Sequence, residues 1–318
     1  MKGVSKPEPK KASTLASVLA AKSKSRIVST GYRDLDEKLH GGFRRSALYD
    51  VSGAAGSGKI DLVLQTIMDC VMADERVLWI TTGSRFPTQR LRDIYNQNHQ
   101  KQGELRREFA ALCNNVSEIS VNSISELIVL LGQFNESNED EYQMCVIHEL
   151  SDLIQNLQVD CEKLFLARKL SMEKQKQKTI LERQLRESAG EQYAKNMYDV
   201  DMIPTLGMTP HTRVQRSIQE LMVMLSIFCT KKSKTVITVG STEAQYKSFT
   251  ITNDAPVEAT GPDSGARTPF KRSVLVPVLN TCGSYYSARL LVYRDWSKEK
   301  HHTCPFVVVR GETVKLGT

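Results

Sequence analysis

The sequence predicts an α/β fold: a mainly parallel sheet, antiparallel strands at the C-terminal edge, and a long helical insertion. Three observations predict it. Short, largely apolar runs such as Val77–Thr82 and the fully apolar Met144–Ile147 alternate with amphipathic helical stretches, which is the pattern of buried parallel strands joined by crossover helices. After residue 273 several strand-like runs follow one another without helices, as an antiparallel edge requires. Between them, Cys161–Ala194 is charged, free of proline and carries one glycine, Gly190, so it reads as a long helix or helical pair with a wet surface.

The elements follow in order. Residues 1–28 are rich in Lys, Ser and Ala and read as a flexible basic tail, with a short helix at Ser13–Ala21. The core, 29–318, opens with a helical turn at Tyr32–Leu39 that Gly41-Gly42 ends. Ser46–Ser52 reads as a strand, followed by a Gly-rich turn and a helix over Lys59–Met72. Val77–Thr82 is the next strand, Arg90–Gln97 begins a helix, Val116–Val121 is strand-like and Ser125–Phe134 helical. Met144–Ile147 is a short buried strand, and 155–200 is the helical insertion. The helix Thr212–Cys229 and the strand Thr235–Gly240 resume the core. Residues 241–272 hold Thr, Ser, Asn, Pro and Gly with scattered charge and read as a long irregular loop. Val274–Leu279, Tyr286–Tyr293 and Phe306–Arg310 are expected to close the sheet as antiparallel strands.

Composition narrows the class. With 40% apolar and 25% charged residues among 318, the chain is ordinary globular protein. Its seven cysteines form no CxxC pair and several lie in apolar runs, so they read as reduced, buried side chains of an intracellular protein. His301-His302-Thr303-Cys304 has no second cluster at ligand spacing and reads as a connecting turn, so no metal site is expected. No apolar stretch is long enough for a bilayer span, and the N-terminus lacks the apolar core of a secretory signal. The formal net charge of +7 fits contact with a polyanion.

One motif carries chemistry. Gly53-Ala54-Ala55-Gly56-Ser57-Gly58-Lys59 fits GxxxxGK between a strand and a helix. Glycines let backbone N–H groups converge on phosphate oxygens, the helix N-terminus adds positive potential, and Lys59 reaches the outer phosphates. The residue after the lysine is ordinarily Ser or Thr, whose hydroxyl ligates Mg²⁺. Here it is Ile60, a hydrocarbon with no lone pair for a hard cation.

The surroundings of the motif resemble the RecA-type recombinase family. Thr30–Asp36 with Leu39 and Gly41–Phe43 resembles the family's TGxxxLDxLLGGG lead-in, and Leu48–Gly53 its strand into the loop, with Asp50 where Glu is usual. Trp79–Thr82 and Phe86–Leu91 resemble the YIDTEGTFRPxRL segment, and Tyr142–Ile147 the strand that carries an acid at its end. Val236–Ser241 is similar to VITNQV and Ala288–Asp295 to TRLxLRK. The match is ordered along 29–295 apart from 155–200, and is strongest to eukaryotic, fungal-like recombinase paralogues.

The resemblance implies a RecA-like P-loop core, with ATP as ligand held by Gly53, Gly56, Ser57, Gly58, Lys59 and Ile60, and Arg90 stacked on adenine. It also exposes three departures. Gly83 stands where the family holds its water-positioning Glu, His148 where an Asp supports Mg²⁺, and Ile60 where the hydroxyl belongs. Glu149 follows His148, but on a continuing strand it would face the other side of the sheet. The expectation is therefore a pseudo-ATPase, with Mg²⁺ poorly served and no intact catalytic set. The resemblance further implies a nuclear mediator of homologous-recombination repair. Such a protein pairs with a second recombinase paralogue and supports assembly of the main recombinase filament on single-stranded DNA. Lys247, Arg267, Lys271 and Arg272 of 241–272 are the candidate DNA contacts. Two alternatives remain open. One is an active DNA-dependent ATPase completed by a partner subunit. The other is a P-loop phosphotransferase, which Ile60 disfavours.

Overall fold

The computed structural model describes residues 27–102, 108–137, 141–188, 207–252, 255–258, 270–297 and 302–316. The tail, where a helix is expected at Ser13–Ala21, lies outside them, as does Arg267.

The chain opens with β1 (Ile27–Val28), α1 (Arg33–Lys38) and β2 (Phe43–Arg44), where β1 and β2 pair antiparallel. The main sheet and its flanking helices follow as β3 (Ala47–Gly53), α2 (Lys59–Met72), β4 (Val77–Thr81), α3 (Thr88–Gln102), α4 (Phe109–Cys113), β5 (Val116–Ser120), α5 (Ile124–Glu136), β6 (Met144–Ile147), α6 (Leu150–Ser188), α7 (Pro210–Lys231) and β7 (Thr235–Gly240). Then come β8 (Thr242–Thr252), β9 (Ala255–Glu258), β10 (Phe270–Pro277), a 3₁₀ turn (Asn280–Tyr285), β11 (Ala288–Ser297), β12 (His302–Val309) and β13 (Glu312–Lys315).

The large sheet runs β13-β12-β11-β3-β7-β6-β4-β5. From β11 to β5 every pairing is parallel, while β12 and β13 are antiparallel. The mainly parallel sheet with an antiparallel C-terminal edge is as the sequence predicts. Alternation along β3 explains the layering: Tyr49 and Val51 join the core under α2, whereas Leu48 joins the core under α5 and α7. Both faces are covered, so the central strands are apolar throughout.

Two expectations are corrected. Residues 241–272 are not an irregular loop along their described length. β8 pairs with β10 over eight register positions, from Thr242↔Pro277 to Phe249↔Phe270, and with β9, forming a separate three-stranded ribbon. The Thr-, Tyr- and Phe-containing run suits a strand, and its partner lies far along the sequence. Consequently 274–279 does not close the main sheet. β11 is also parallel to β3, not antiparallel. The ribbon returns to the carboxyl end of β7, and residues 278–287 carry the chain back down the sheet. β11 therefore enters beside Leu48, whose carbonyl accepts from Ser287 N–H.

Along its described residues the helical insertion is one continuous helix, Leu150–Ser188, that starts earlier than expected. Leu150, Leu153, Ile154 and Cys161 are buried against α5 and α7. Beyond Cys161 every side chain described is exposed except the half-buried Phe165 and Met172. At 1.5 Å per residue this outer part extends ~40 Å from the packed body. Its exposed leucines include Leu166, Leu170, Leu181 and Leu185.

A buried polar network stiffens the sheet behind the phosphate loop. Asp50, 2% exposed, accepts from Ser52 Oγ at 2.9 Å, Thr238 Oγ1 at 3.4 Å and Arg289 Nε at 3.0 Å. Arg289 Nη2 lies 3.0 Å from the same carboxylate, off hydrogen-bond geometry. Burial raises the Asp50 carboxyl's pKa, against the opposing pull of Arg289.

Candidate functional site

β3 delivers the chain to the phosphate loop at the carboxyl edge of the sheet, and α2 begins at Lys59. Gly56 (φ +73°) and Gly58 (φ +97°) take the left-handed conformations that let the backbone curl. Gly53 has no room for a side chain, because a Cβ there would meet the Val292 carbonyl at 2.4 Å. Lys59 Nζ donates to Gly53 O at 2.7 Å, so it is folded over its own loop. Burial lowers its pKa, while Glu149 and Asp152 oppose the shift. Ser57 is buried, and its Oγ has no partner.

A cleft of about 270 Å³ adjoins this loop, lined by Ala55, Gly56, Gly58, Lys59, Ile60, Asp61, Arg90, His148, Glu149, Asp152, Val239, Gly240 and Ser241. A larger depression beside Arg33, Asp36 and His40 is shallow and lacks the phosphate loop. The structure thus brings together Gly56, Gly58, Lys59, Ile60, Arg90 and His148 of the expected site. Arg90 pairs with Asp61 at 3.1 Å at the cleft margin.

Gly83 does not line the cleft. Its φ is +144°, a conformation that a glutamate would strain to adopt. The residue that reaches inward is Ser84, which the sequence reading missed. Its Oγ lies 3.2 Å from His148 Nδ1 and 3.3 Å from Glu149 Oε2, and its carbonyl accepts from Thr81 Oγ1 at 2.5 Å. The His148 ring also stacks on Trp79, with centroids 5.0 Å apart. Burial lowers the His148 pKa most, Lys59 lowers it further, and Glu149 and Asp152 oppose them. The resting environment therefore favours the neutral imidazole.

Glu149 does not turn away as strand alternation suggests. β6 ends at Ile147, and Glu149 adopts φ +59°, so consecutive side chains His148 and Glu149 both border the cleft. Asp152 joins them from the first turn of α6. This local reversal was not visible in the residue order.

The cleft suits the phosphates of a nucleotide: a glycine-rich loop, a helix N-terminus and Lys59 converge there. The donor set suits Mg²⁺ poorly. Ile60 supplies no oxygen, position 148 supplies a ring nitrogen, Glu149 Oε2 is engaged by Ser84 and Asp61 by Arg90, which leaves Asp152 as the remaining carboxylate at the cleft. Among the described residues no group of three or more His, Cys, Asp or Glu is arranged to hold a metal ion.

Of the expected DNA contacts, Lys247 on β8 and Arg272 on β10 are register partners, and Lys271 pairs with Ser248. The ribbon rises from the same sheet edge as the cleft, since β8 follows β7 directly. Ser241, at the ribbon's base, lines the cleft, and its N–H donates to Ser151 Oγ at 2.7 Å. No helix among the described residues is long and apolar enough to cross a membrane.

Comparison with known proteins agrees with the fold and the loop. The chain is 29% identical over 126 residues to the DNA repair protein rhp55 of Schizosaccharomyces pombe, covering 38% of this chain and 36% of that one. It is 24% identical over 135 residues to the DNA repair protein RAD55 of Saccharomyces cerevisiae, covering 40% and 30%. It is 33% identical over 69 residues to the DNA repair and recombination protein RadB of Methanococcoides burtonii, covering 22% and 30%. The matches thus span about a third of these relatives' lengths. The crystal structure of the RadB recombinase superposes with a TM-score of 0.51 at 13% identity, over 91% of this chain and 94% of that one, which shows a common RecA-like fold. The family profile described as "ATPase: KaiC" matches residues 28–253, more than half of the chain, and the chain belongs to that family of RecA-type ATPase domains.

Proposed function

We propose that this chain is a recombination mediator in homologous-recombination DNA repair. It is a degenerate RecA-like paralogue that pairs with a second paralogue and supports assembly of the main recombinase filament on single-stranded DNA in the nucleus. The observation that carries this reading is the cleft itself. It keeps its phosphate cradle but has Ile60 and His148 where the metal-handling groups belong, and the water-positioning Glu is replaced by Gly83, which does not line it. Nucleotide then acts as a ligand that shapes the module, with little or no turnover by the chain alone. The DNA-repair relatives supply the process. The β8–β10 ribbon, with Lys247, Lys271 and Arg272, is the surface assigned to DNA phosphates, together with Arg267, which lies outside the described residues.

A second reading, a working ATPase completed by a partner subunit, is favoured by one observation. Glu149 borders the cleft, where a carboxylate could orient water.

The test uses the purified chain, alone and with a paralogue, and follows both ATP turnover and recombinase filament assembly on single-stranded DNA. Faster assembly is expected, with background turnover that Lys59→Ala leaves unchanged while abolishing nucleotide binding. Unaltered assembly would remove the mediator function. Lys59-dependent hydrolysis would establish the second reading.

A further inference from the structure

The cleft presents an electrostatic problem to any polyphosphate. Lys59 is its one cation on the loop, Arg90 is paired with Asp61, and Glu149 and Asp152 stand on the opposite wall. Several negative charges would enter a space that already holds carboxylates. A divalent ion usually offsets this repulsion, but the donor set suits one poorly.

A proton is the other available positive charge. We propose that the cleft takes its nucleotide without a divalent cation, and that the His148 imidazole, protonated on binding, supplies the positive charge beside the phosphates. The inference rests on the nucleotide-binding reading above. The geometry supports it: His148 lines the cleft, Ser84 holds its Nδ1 at 3.2 Å, and Trp79 fixes the plane of the ring. Nε2 then remains as the ring nitrogen for a ligand oxygen. The charged groups facing the ring are Lys59 from α2 and Glu149 and Asp152 from its own segment. Lys59 and burial favour the neutral ring before binding. An incoming phosphate adds negative charge beside the ring, which raises its pKa against the lowering by burial and Lys59.

The sign of the linkage is fixed. A pKa that rises on binding makes affinity increase as pH falls, by up to about tenfold per pH unit between the free and bound values. Ser84 Oγ gives its proton to Glu149 Oε2, so the ring meets Ser84 as an Nδ1–H donor; the neutral ring then leaves Nε2 bare, and only the charged ring can give Nε2–H to a phosphate.

The experiment measures binding of the γ-thio analogue of ATP, whose terminal group ionises at lower pH than phosphate, to the full chain in a chelator from pH 6 to 8. Calorimetry in two buffers of different ionisation enthalpy counts the protons taken up. Metal-free binding that tightens toward pH 6 with proton uptake is expected, and the uptake should vanish in His148→Gln. Should that variant fail to fold, the proton count on the wild-type chain still decides. Binding that requires Mg²⁺, or that proceeds without proton uptake, overturns the inference and leaves the nucleotide-binding reading standing. No binding under any condition overturns both.

Discussion

Removing Arg289 should reveal how the buried carboxylate behind the phosphate loop is kept charged. Arg289→Met preserves much of the side chain's bulk but takes the guanidinium from Asp50, which is 2% exposed and 3.0 Å from Nε. A buried ion pair that loses one partner typically costs about 3–5 kcal/mol. Here the Ser52 and Thr238 hydroxyls remain on the carboxylate, which puts the expected loss near the lower end, about 3 kcal/mol at pH 8. A further pH-independent loss of about 0.5–1 kcal/mol comes from the contact of Arg289 with the Tyr286 ring, 5.4 Å from its centroid. The folded pKa of Asp50 is already raised by burial, so its ionisation works against folding as pH rises through that value. Without Arg289 the value climbs further. The destabilisation should therefore be largest at pH 8 and shrink toward pH 5, where the carboxyl takes up a proton. Urea denaturation of the wild type, Arg289→Met, Asp50→Asn and the double variant at both pH values measures this. Equal losses at pH 5 and pH 8, unchanged by Asp50→Asn, would refute the reasoning, because the guanidinium would then be acting through packing alone.

Two further outcomes are expected. The Asp69 carboxyl on α2 is pushed up to about 6 by burial, from 3.8. Its charged form thus opposes folding above pH 6, and Asp69→Asn should add up to about 3 kcal/mol at pH 7.5 and nothing at pH 4, read from thermal or denaturant midpoints. Gly42 holds φ +126°, and a Cβ there would meet the Val28 carbonyl at 2.2 Å. Gly42→Ala should therefore destabilise by at least about 2 kcal/mol, measured by urea unfolding, since the β1–β2 pairing must shift to admit it.

Much of this architecture is legible in the residue order because it rests on local signals. The apolar runs of β4, β6 and β7 specify buried strands on their own, and Gly56, Gly58 and Lys59 declare the loop through spacing alone. What was missed depends on distant partners. β8 becomes a strand because residues 270–277 lie against it, and nothing within 242–252 announces that pairing. The orientation of β11 follows from the path of 278–287 around the sheet rather than from its own composition. At the site, the altered positions Ile60 and His148 are visible in the sequence, but Ser84 meets His148 from 64 positions away. The turn at Glu149 breaks the alternation on which its facing was judged. The sequence puts the start of α6 too late because its first three turns contribute to the core and its remainder is wet, and the change in character at Cys161 resembles a boundary.

Helix α6 also divides the cohesion of the chain. Up to Cys161 its amides are locked by side chains that belong to the core, so they open only when the core opens. Past that residue the helix is sustained by its own hydrogen bonds and by spaced pairs such as Lys178–Glu182 at 3.8 Å. Its outer turns can unwind and rewind from the Ser188 end without disturbing the part that is packed into the core. The protein therefore carries two cooperative units on one unbroken helix: a rigid hinge-post embedded beside the cleft, and an arm whose order is set by temperature, salt and whatever comes to lie along it.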